Sequence, residues 1–184
     1  MKKIIIGFVG EIASGKGTAC DYLIENHKAG YYRFSTIIRD ILDRLHLPQS
    51  RRNMQRLSTN LRQIFEEDLF AKVIANDVKQ DNAEIICVDG IRRPADIIYL
   101  KKLDNFHLIH IYTDEKLRYQ RIIERAENSD DKNKTFEEFL KDQQGETELT
   151  IPEVVAQADI QIKNNGDKED LHKELEKLVQ ELKS

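Results

Sequence analysis

The chain has 184 residues, of which 40% are hydrophobic and 34% are charged, a size and balance typical of one globular domain with a substantial core. Its net charge of −4 argues against a general nucleic-acid binder, and no stretch of the sequence is long and apolar enough to suggest a membrane span. The two cysteines form no C-x-x-C pattern. We therefore expect one reduced, cytoplasmic domain over residues 1–184 that binds neither nucleic-acid polymers nor membranes.

Short apolar strands alternate with helical segments along the chain, which is typical of an α/β fold with a parallel sheet. The pattern predicts five strands, at residues 3–9, 31–34, 84–89, 106–112 and 158–163. Helices are predicted at 16–27, 35–46, 50–66, 68–80, 94–103, 114–127, 134–144 and 168–182. The helical stretch 35–82 between the second and third strands is longer than a simple crossover requires, so we expect it to form an insertion.

The most specific motif is the stretch Gly-Phe-Val-Gly-Glu-Ile-Ala-Ser-Gly-Lys-Gly-Thr at residues 7–18. Gly10, Gly15 and Lys16 fit the G-x-x-x-x-G-K pattern, and the motif lies between a predicted strand and a predicted helix. In this context the backbone N–H groups of the turn and the helix N-terminus bind phosphate, while the lysine reaches the outer phosphates of a nucleoside triphosphate. We expect nucleotide contacts from Gly10, Ala13, Ser14, Gly15, Lys16, Gly17 and Thr18.

One position of the motif departs from its usual form. Gly17 stands where a Ser or Thr usually contacts Mg²⁺, and Thr18 follows one residue later. The Gly-Lys-Gly-Thr form resembles adenylate kinase and its nucleoside monophosphate kinase relatives. This resemblance implies that Thr18 contacts the inner phosphates, that Mg²⁺ keeps more of its water shell, and that Thr18 is a second candidate metal contact. It fits GTPases poorly, and the sequence lacks their Asn-Lys-x-Asp signature.

The third predicted strand ends in Val-Asp-Gly-Ile-Arg-Arg-Pro at residues 88–94. An acid at the carboxyl end of a strand beside the phosphate loop can hold Mg²⁺ or its waters, so Asp89 is the first metal candidate, acting through water. The segment resembles the Asp-Gly-x-x-Arg signature of nucleoside monophosphate kinases, which points to Arg93. It is more similar to the Asp-Gly-Ile-Arg-x-Pro segment of dephospho-coenzyme A kinase-like proteins, which points to Arg92. An ordinary Asp-Gly turn with exposed arginines is the other interpretation.

The segment Phe-Ser-Thr-Ile-Ile-Arg at residues 34–39 resembles the turn that opens the acceptor site in the same kinases. The resemblance implies that Ser35, Thr36 and Arg39 contact the acceptor, although Thr36 replaces the common acid. Arg62 matches a second acceptor-side arginine of those relatives, and the region 35–82 corresponds to their acceptor-binding insertion. Each arginine taken alone is more often an ordinary surface residue.

The predicted helix after the fourth strand carries Arg118, Arg121 and Arg125 at spacing i, i+3 and i+7, so they share one face. Such a face suits a lid that neutralises a transferring phosphoryl group, and we expect the lid at about 118–145. A salt-bridged surface helix is the alternative. The segment at 158–166 resembles the loop that passes beside the adenine of ATP in these kinases, which implies a nucleotide contact from Asn165 and Gly166.

The resemblance covers most of the chain and implies the three-layer α/β/α sandwich of P-loop NTPases, with a five-stranded parallel sheet. It implies an ATP- and Mg²⁺-dependent kinase that transfers the γ-phosphoryl group to a (deoxy)nucleoside monophosphate and is a monomer or homodimer. In this interpretation the catalytic residues are Lys16, Asp89, Arg92, Arg121 and Arg125, while Arg92 and Arg93 also serve the acceptor. Two alternatives stay open: a dephospho-coenzyme A kinase-like transfer to a hydroxyl, and a non-catalytic ATP-binding regulatory module.

Overall fold

The computed structural model describes residues 3–125, 134–144 and 146–184. Its strands are Ile4–Val9 (β1), Gly30–Arg33 (β2), Ile85–Asp89 (β3), Phe106–Tyr112 (β4) and Ile160–Lys163 (β5). All neighbouring pairs are parallel, and the sheet order is β2-β3-β1-β4-β5. The predicted five-stranded parallel sheet is confirmed. The central strands β1 and β3 are apolar almost throughout because both of their faces are covered.

The helices follow the predicted order with two differences. They are Lys16–His27 (α1), Phe34–Arg44 (α2), Arg51–Ile64 (α3), Leu69–Gln80 (α4), Pro94–Ile97 (α5), Glu115–Arg125 (α6), Phe136–Asp142 (α7), Glu146–Leu149 (α8), Ile151–Val155 (α9) and Lys168–Lys183 (α10). The helix predicted at 94–103 ends at Ile97 and is followed by a 3-10 turn at Leu100–Lys102. Ile97 and Leu100 are both buried three residues apart, which suits 3-10 geometry. The helices α8 and α9 were not predicted, because four or five residues are too few to show a helical period.

The helices cover the two faces of the sheet and form separate cores. On one face, Ile4, Ile6 and Phe8 of β1 pack with residues of α1 and α10, including Leu23 and Leu175. On the opposite face, the alternate β1 residues Ile5 and Val9 pack with α2, α4 and α9. The alternation of side chains along a strand produces these two cores. The structure therefore confirms the three-layer α/β/α sandwich.

The region 35–82 contains α2, α3 and α4, which contribute unequally to the core. Phe70, Ile74 and Val78 of α4 and Leu42 of α2 are buried against the sheet. In α3 the apolar residues are only partly buried, as Met54 and Leu57 show. The role of this region as an acceptor-binding insertion remains a prediction. No helix in the described ranges is long and apolar enough to cross a membrane.

Candidate active site

The turn between β1 and α1 passes very close to the carboxyl ends of the neighbouring strands. Gly10 has φ of 153°, and a Cβ added there would lie 2.4 Å from the backbone oxygen of Ile111 in β4. Gly15 has φ of 105°, and its added Cβ would lie 2.2 Å from Nδ2 of Asn164. Both positions therefore need glycine, for backbone conformation and for space. The turn has the shape required to bring backbone N–H groups against a phosphate.

The Lys16 ammonium is held inside this turn by its backbone. Its Nζ donates to the carbonyl oxygens of Gly10 at 2.7 Å and Glu11 at 2.8 Å, and lies 3.4 Å from Oγ of Ser14. Burial disfavours the charged form and lowers the pKa of Lys16 to about 8, while the charge of Asp89 opposes this shift. These acceptors are neutral, so a phosphate group that enters the turn would offer the lysine a stronger partner.

Two side chains that the sequence analysis missed, Thr113 and Asn164, hold the backbone of the turn by hydrogen bonds. The backbone oxygen of Ser14 accepts hydrogen bonds from Oγ1 of Thr113 at 2.9 Å and from Nδ2 of Asn164 at 2.8 Å. Thr113 and Asn164 are buried and follow β4 and β5 directly. Their position directly after predicted strands could have identified them, because residues at the carboxyl ends of parallel strands meet at one edge of the sheet.

Asp89 is the last residue of β3 and is buried beside the turn. Its carboxylate accepts hydrogen bonds from the backbone N–H of Gly90 at 2.7 Å and from the Tyr31 hydroxyl at 3.1 Å. Nε of Arg33 lies 3.4 Å from the same carboxylate. Burial and the charge of Asp89 raise the pKa of Tyr31, so this hydroxyl stays a donor. The structure thus brings Asp89 and Lys16 to the same edge of the sheet, as predicted.

The surroundings of Asp89 are compatible with Mg²⁺ held through water. Its carboxylate has about four lone-pair directions, and the contacts described above do not use all of them. Within the described residues there is no group of three or more His, Cys, Asp or Glu side chains suited to a metal. Mg²⁺ commonly keeps several waters and binds through one or two carboxylates and substrate phosphates. Asp89 fits this kind of site, and Thr18, the second metal candidate, lies in the first turn of α1.

The segment after Asp89 is fixed by Asp96, a buried residue that the sequence analysis did not single out. The Asp96 carboxylate accepts from the backbone N–H groups of Arg92 and Arg93, each at 3.0 Å, and from Nη2 of Arg62 at 3.0 Å. Asp96 is the third residue of α5, which begins at Pro94. An acid at this position is the helix-start signal that could have identified it.

Each acceptor-side arginine has a partner within the protein. Arg62 is buried, with its guanidinium on Asp96 and 4.8 Å from the centre of the Phe70 ring. Arg39 is exposed on α2 and donates to Oε1 of Gln49 at 2.6 Å. Arg92 pairs with Glu148, and Arg93 pairs with Glu67. Arg39, Arg62 and Arg92 are thus each paired within the protein, and their joint contact with an acceptor anion stays a prediction.

Ser35 and Thr36 lie in the first turn of α2, which follows β2 at the same edge of the sheet. The Ser35 hydroxyl is buried and has no hydrogen-bond partner among the described residues, whereas Thr36 is exposed. Phe34, the first residue of α2, adjoins Gly90. The start of α2 therefore lies beside the segment that carries Asp89 and Arg92.

The three arginines of α6 also differ in their positions. Arg118 is buried and donates to the backbone oxygen of Thr113 and to Gln143. Arg121 lies 3.3 Å from Oγ1 of Thr113 and donates to the backbone oxygen of Gly166 at 3.0 Å. Burial lowers the pKa of Arg121. The structure thus brings Arg121 to the predicted adenine-side loop.

The remaining predicted residues of this region are placed only in part. Asn165 accepts from the backbone N–H of Asp114 at 3.0 Å, which ties the loop after β5 to the start of α6. The side chain of Arg125 and the residues 126–133 of the predicted lid lie outside the described residues. Arg125 therefore stays a sequence-based candidate.

A family comparison explains why these features occur together. Residues 9–139, well over half of the chain, match the model of the family described as an AAA domain. The chain belongs to this AAA domain family. Its fold is that of P-loop kinases, as the motif resemblance implied. The family match includes the phosphate loop from Val9 onward and the segment containing Asp89.

Similar proteins support the same placement. A UPF0200 protein of Methanococcus maripaludis is 26% identical over 174 residues, which are 94% of this chain and 93% of the relative. A UPF0200 protein of Saccharolobus islandicus is 29% identical over 121 residues, 65% of this chain and 63% of the relative. A crystal structure of shikimate kinase from Bacteroides thetaiotaomicron has a TM-score of 0.65 and 11% identity, covering 98% of this chain and 99% of that one. At this identity the structural likeness shows the fold.

Gly17 differs from the other loop glycines, and this leads to a stability prediction. A Cβ added at Gly17 meets no atom within 4 Å, and the residue lies in the first turn of α1. Gly17→Ala should raise the free energy of unfolding by about 0.5 kcal/mol, because alanine favours helix. Gly15→Ala, the matched control, should lower it by about 1–3 kcal/mol because of its positive φ and its contact with Asn164. Urea denaturation measures both changes, and a destabilised Gly17→Ala variant would contradict the prediction.

Proposed function

We propose that this protein is an ATP-dependent small-molecule kinase that transfers the γ-phosphoryl group to a (deoxy)nucleoside monophosphate. The observation that carries the proposal is the position of the Lys16 ammonium. It lies partly buried in a glycine-constrained phosphate loop, within the field of Asp89 and Arg92 at the carboxyl edge of the sheet. A cation, an acid and a guanidinium at one edge are the groups that phosphoryl transfer requires. The P-loop kinase-like fold supports this assignment.

MgATP would supply the transferable phosphoryl group, and the residues of the chain would bind and orient it. Lys16 would exchange the carbonyl oxygens of Gly10 and Glu11 for the outer phosphates. The N–H groups of the loop would bind the remaining phosphates, and Asp89 would orient water on Mg²⁺. Arg121, beside the loop of Asn165 and Gly166, would contact the nucleotide. The catalytic contribution of these residues is positioning and charge neutralisation.

The acceptor would bind on the other side of Asp89, between the start of α2 and the segment 90–93. Ser35 and Thr36 at the start of α2 are available there, and the Ser35 hydroxyl has no partner among the described residues. Arg92 is the first candidate for the acceptor phosphate, with Arg93 as the alternative. Arg62 would act on the acceptor only through Asp96, which holds the backbone of both arginines.

The deciding experiment incubates the protein with MgATP and a panel of (deoxy)nucleoside monophosphates plus dephospho-coenzyme A. ADP formation and product mass are both measured, and Lys16→Ala serves as the blank. A phosphorylated nucleoside monophosphate is the expected product. If dephospho-coenzyme A is the compound phosphorylated, the acceptor group is a hydroxyl and not the phosphate of a nucleoside monophosphate. ATP binding with no product from any acceptor would favour the non-catalytic regulatory module.

Arg39 provides a prediction about the acceptor. If its guanidinium leaves Gln49 to contact the acceptor phosphate, Arg39→Ala should raise the acceptor KM about tenfold or more, as expected for losing a charge-assisted hydrogen bond. Steady-state kinetics at saturating ATP measures this effect. Arg44→Ala, which removes the basic residue in the last turn of the same helix, is the matched control. An unchanged KM in Arg39→Ala would remove Arg39 from the acceptor site.

The lowered pKa of Lys16 predicts proton uptake on nucleotide binding. At pH 8 about half of the free protein carries neutral Lys16, and bound phosphates would raise its pKa again. ATP binding should therefore take up about 0.5 proton at pH 8 and almost none from this residue at pH 6.5. Calorimetry in buffers of different ionisation enthalpy measures uptake, with Lys16→Arg subtracted because arginine stays charged. Equal uptake by both proteins at pH 8 would contradict the prediction. The nucleotide affinity should fall as the pH rises above 8.

A further inference from the structure

The pair formed by Arg92 and Glu148 has an unusual distribution of exposure. Glu148 lies in α8, and its carboxylate contacts Nη1 of Arg92. The Arg92 side chain is 44% exposed, whereas that of Glu148 is only 13% exposed. An ordinary surface pair contributes little because water screens both partners. Here the acid is largely shielded from water, whereas the guanidinium remains accessible.

The same pair lies within the field of the proposed catalytic centre. Arg92 is three residues beyond Asp89, and Asp96 fixes its backbone at 3.0 Å. The charges of Arg92 and Glu148 both act on the Lys16 ammonium, the first disfavouring it and the second favouring it. Glu148 therefore adds negative charge to the surroundings of the Lys16 ammonium.

A second carboxylate, Glu67, pairs with Arg93 in a different way. Glu67 is 56% exposed and also lies 3.6 Å from Nη1 of Arg62. It is a solvent-exposed acid shared between two guanidinium groups. Glu148 by contrast approaches Arg92 from α8, which follows the predicted lid region. Of the two arginines, Arg92 is thus the one whose guanidinium is paired with a largely shielded carboxylate.

A carboxylate and a phosphate compete for a guanidinium, because both accept parallel hydrogen bonds from its planar N–H groups. The segment that carries Glu148 has another link to Arg92, since Oγ1 of Thr150 donates to the Arg92 backbone oxygen at 2.9 Å. Glu148 could therefore leave the guanidinium while this backbone link keeps α8 and α9 in place.

We propose that Glu148 occupies the anion site on Arg92 in the ligand-free protein and that a phosphate group of the acceptor must displace it. Glu148 is then a specificity-determining residue: it selects acceptors whose phosphate binds the guanidinium more strongly than a carboxylate does. The proposal rests on the proposed function only in naming the acceptor as the source of the phosphate. The anion site itself can be tested without phosphoryl transfer.

The test measures binding of inorganic phosphate to the ADP-bound protein by isothermal titration calorimetry. Glu148→Gln should tighten phosphate binding roughly 3- to 10-fold, because it removes a charged competitor while keeping the side-chain shape. Two variants carry the same change in net charge: Glu67→Gln near the site and Glu174→Gln on the exposed face of α10. Both should leave phosphate affinity within about twofold. In the Arg92→Ala background, Glu148→Gln should give no gain, because the guanidinium that it frees is absent.

Three other outcomes of this titration overturn the proposal. Unchanged or weaker phosphate binding in Glu148→Gln would show that the carboxylate does not compete for Arg92. Equal tightening in all three glutamine variants would be a net-charge effect, and a gain in Glu67→Gln alone would move the site to Arg93. The kinase assay separates this proposal from the proposed function. If Glu148→Gln tightens phosphate binding but no acceptor is phosphorylated, the anion site on Arg92 is supported and the kinase function is rejected. If an acceptor is phosphorylated but Glu148→Gln leaves phosphate binding unaltered, the kinase function is supported and the anion site is rejected.

Discussion

Lys16→Ala is expected to lower phosphoryl transfer about 10²- to 10³-fold, as removal of one preorganised cationic donor typically does. The lysine is the charged group at the centre of the phosphate loop and would follow the phosphoryl group into the transition state. In the free protein, by contrast, its ammonium is bound only by neutral acceptors, the Gly10 and Glu11 carbonyl oxygens and the Ser14 hydroxyl. The free energy of unfolding should therefore change by no more than about 1 kcal/mol.

Both effects are measurable with one pair of variants. Initial rates give the loss of turnover, and urea denaturation gives the change in stability. Lys177→Ala is the matched control, since it removes a lysine whose partner is the exposed Glu174 of the same helix. The control should keep full turnover. A correctly folded Lys16→Ala protein with wild-type turnover would end the kinase assignment.

Asp96→Ala is expected to lower the free energy of unfolding by about 3–5 kcal/mol, because it leaves a buried guanidinium with only the solvent-exposed carboxylate of Glu67 nearby. Three donors lose their acceptor at once: Nη2 of Arg62 and the backbone N–H groups of Arg92 and Arg93. These donors join α3 to the segment that carries the candidate acceptor arginine. The variant should therefore also loosen the position of Arg92.

A second substitution tests whether the loss of stability in Asp96→Ala comes from the buried charge of Arg62. Arg62→Met in the Asp96→Ala background should recover part of the lost stability, because it removes the poorly compensated buried charge. The control is Asp167→Ala, which removes a helix-capping carboxylate whose oxygen lies 3.0 Å from the backbone nitrogen of Asp170. This cap should cost about 1 kcal/mol. A loss below 1 kcal/mol in Asp96→Ala, measured by urea denaturation, would show that other groups hold the segment.

Much of the fold could be predicted because its signals are local. Most predicted strands and long helices have their own apolar pattern, and alternation along β1 already assigns Ile6 and Val9 to opposite cores. The phosphate loop is equally local, since its conformation depends on glycines at fixed spacing. The prediction of one helix over 94–103 was wrong in its second half, where burial of Leu100 favours a 3-10 turn. The short helix α8 gave no periodic signal at all.

The sequence by itself determined the phosphate loop, the parallel sheet and the acid that ends β3. Only the tertiary structure decided the partners of the arginines, because those partners lie far away in the chain. Arg62 and Asp96 are 34 residues apart, and Arg92 and Glu148 are 56 apart. Asn164 is 150 residues from Ser14, whose backbone it holds. An arginine in the sequence is equally suited to a buried acid or a substrate phosphate, since both offer the same acceptor geometry. Which of the two it binds depends on what folding brings within reach.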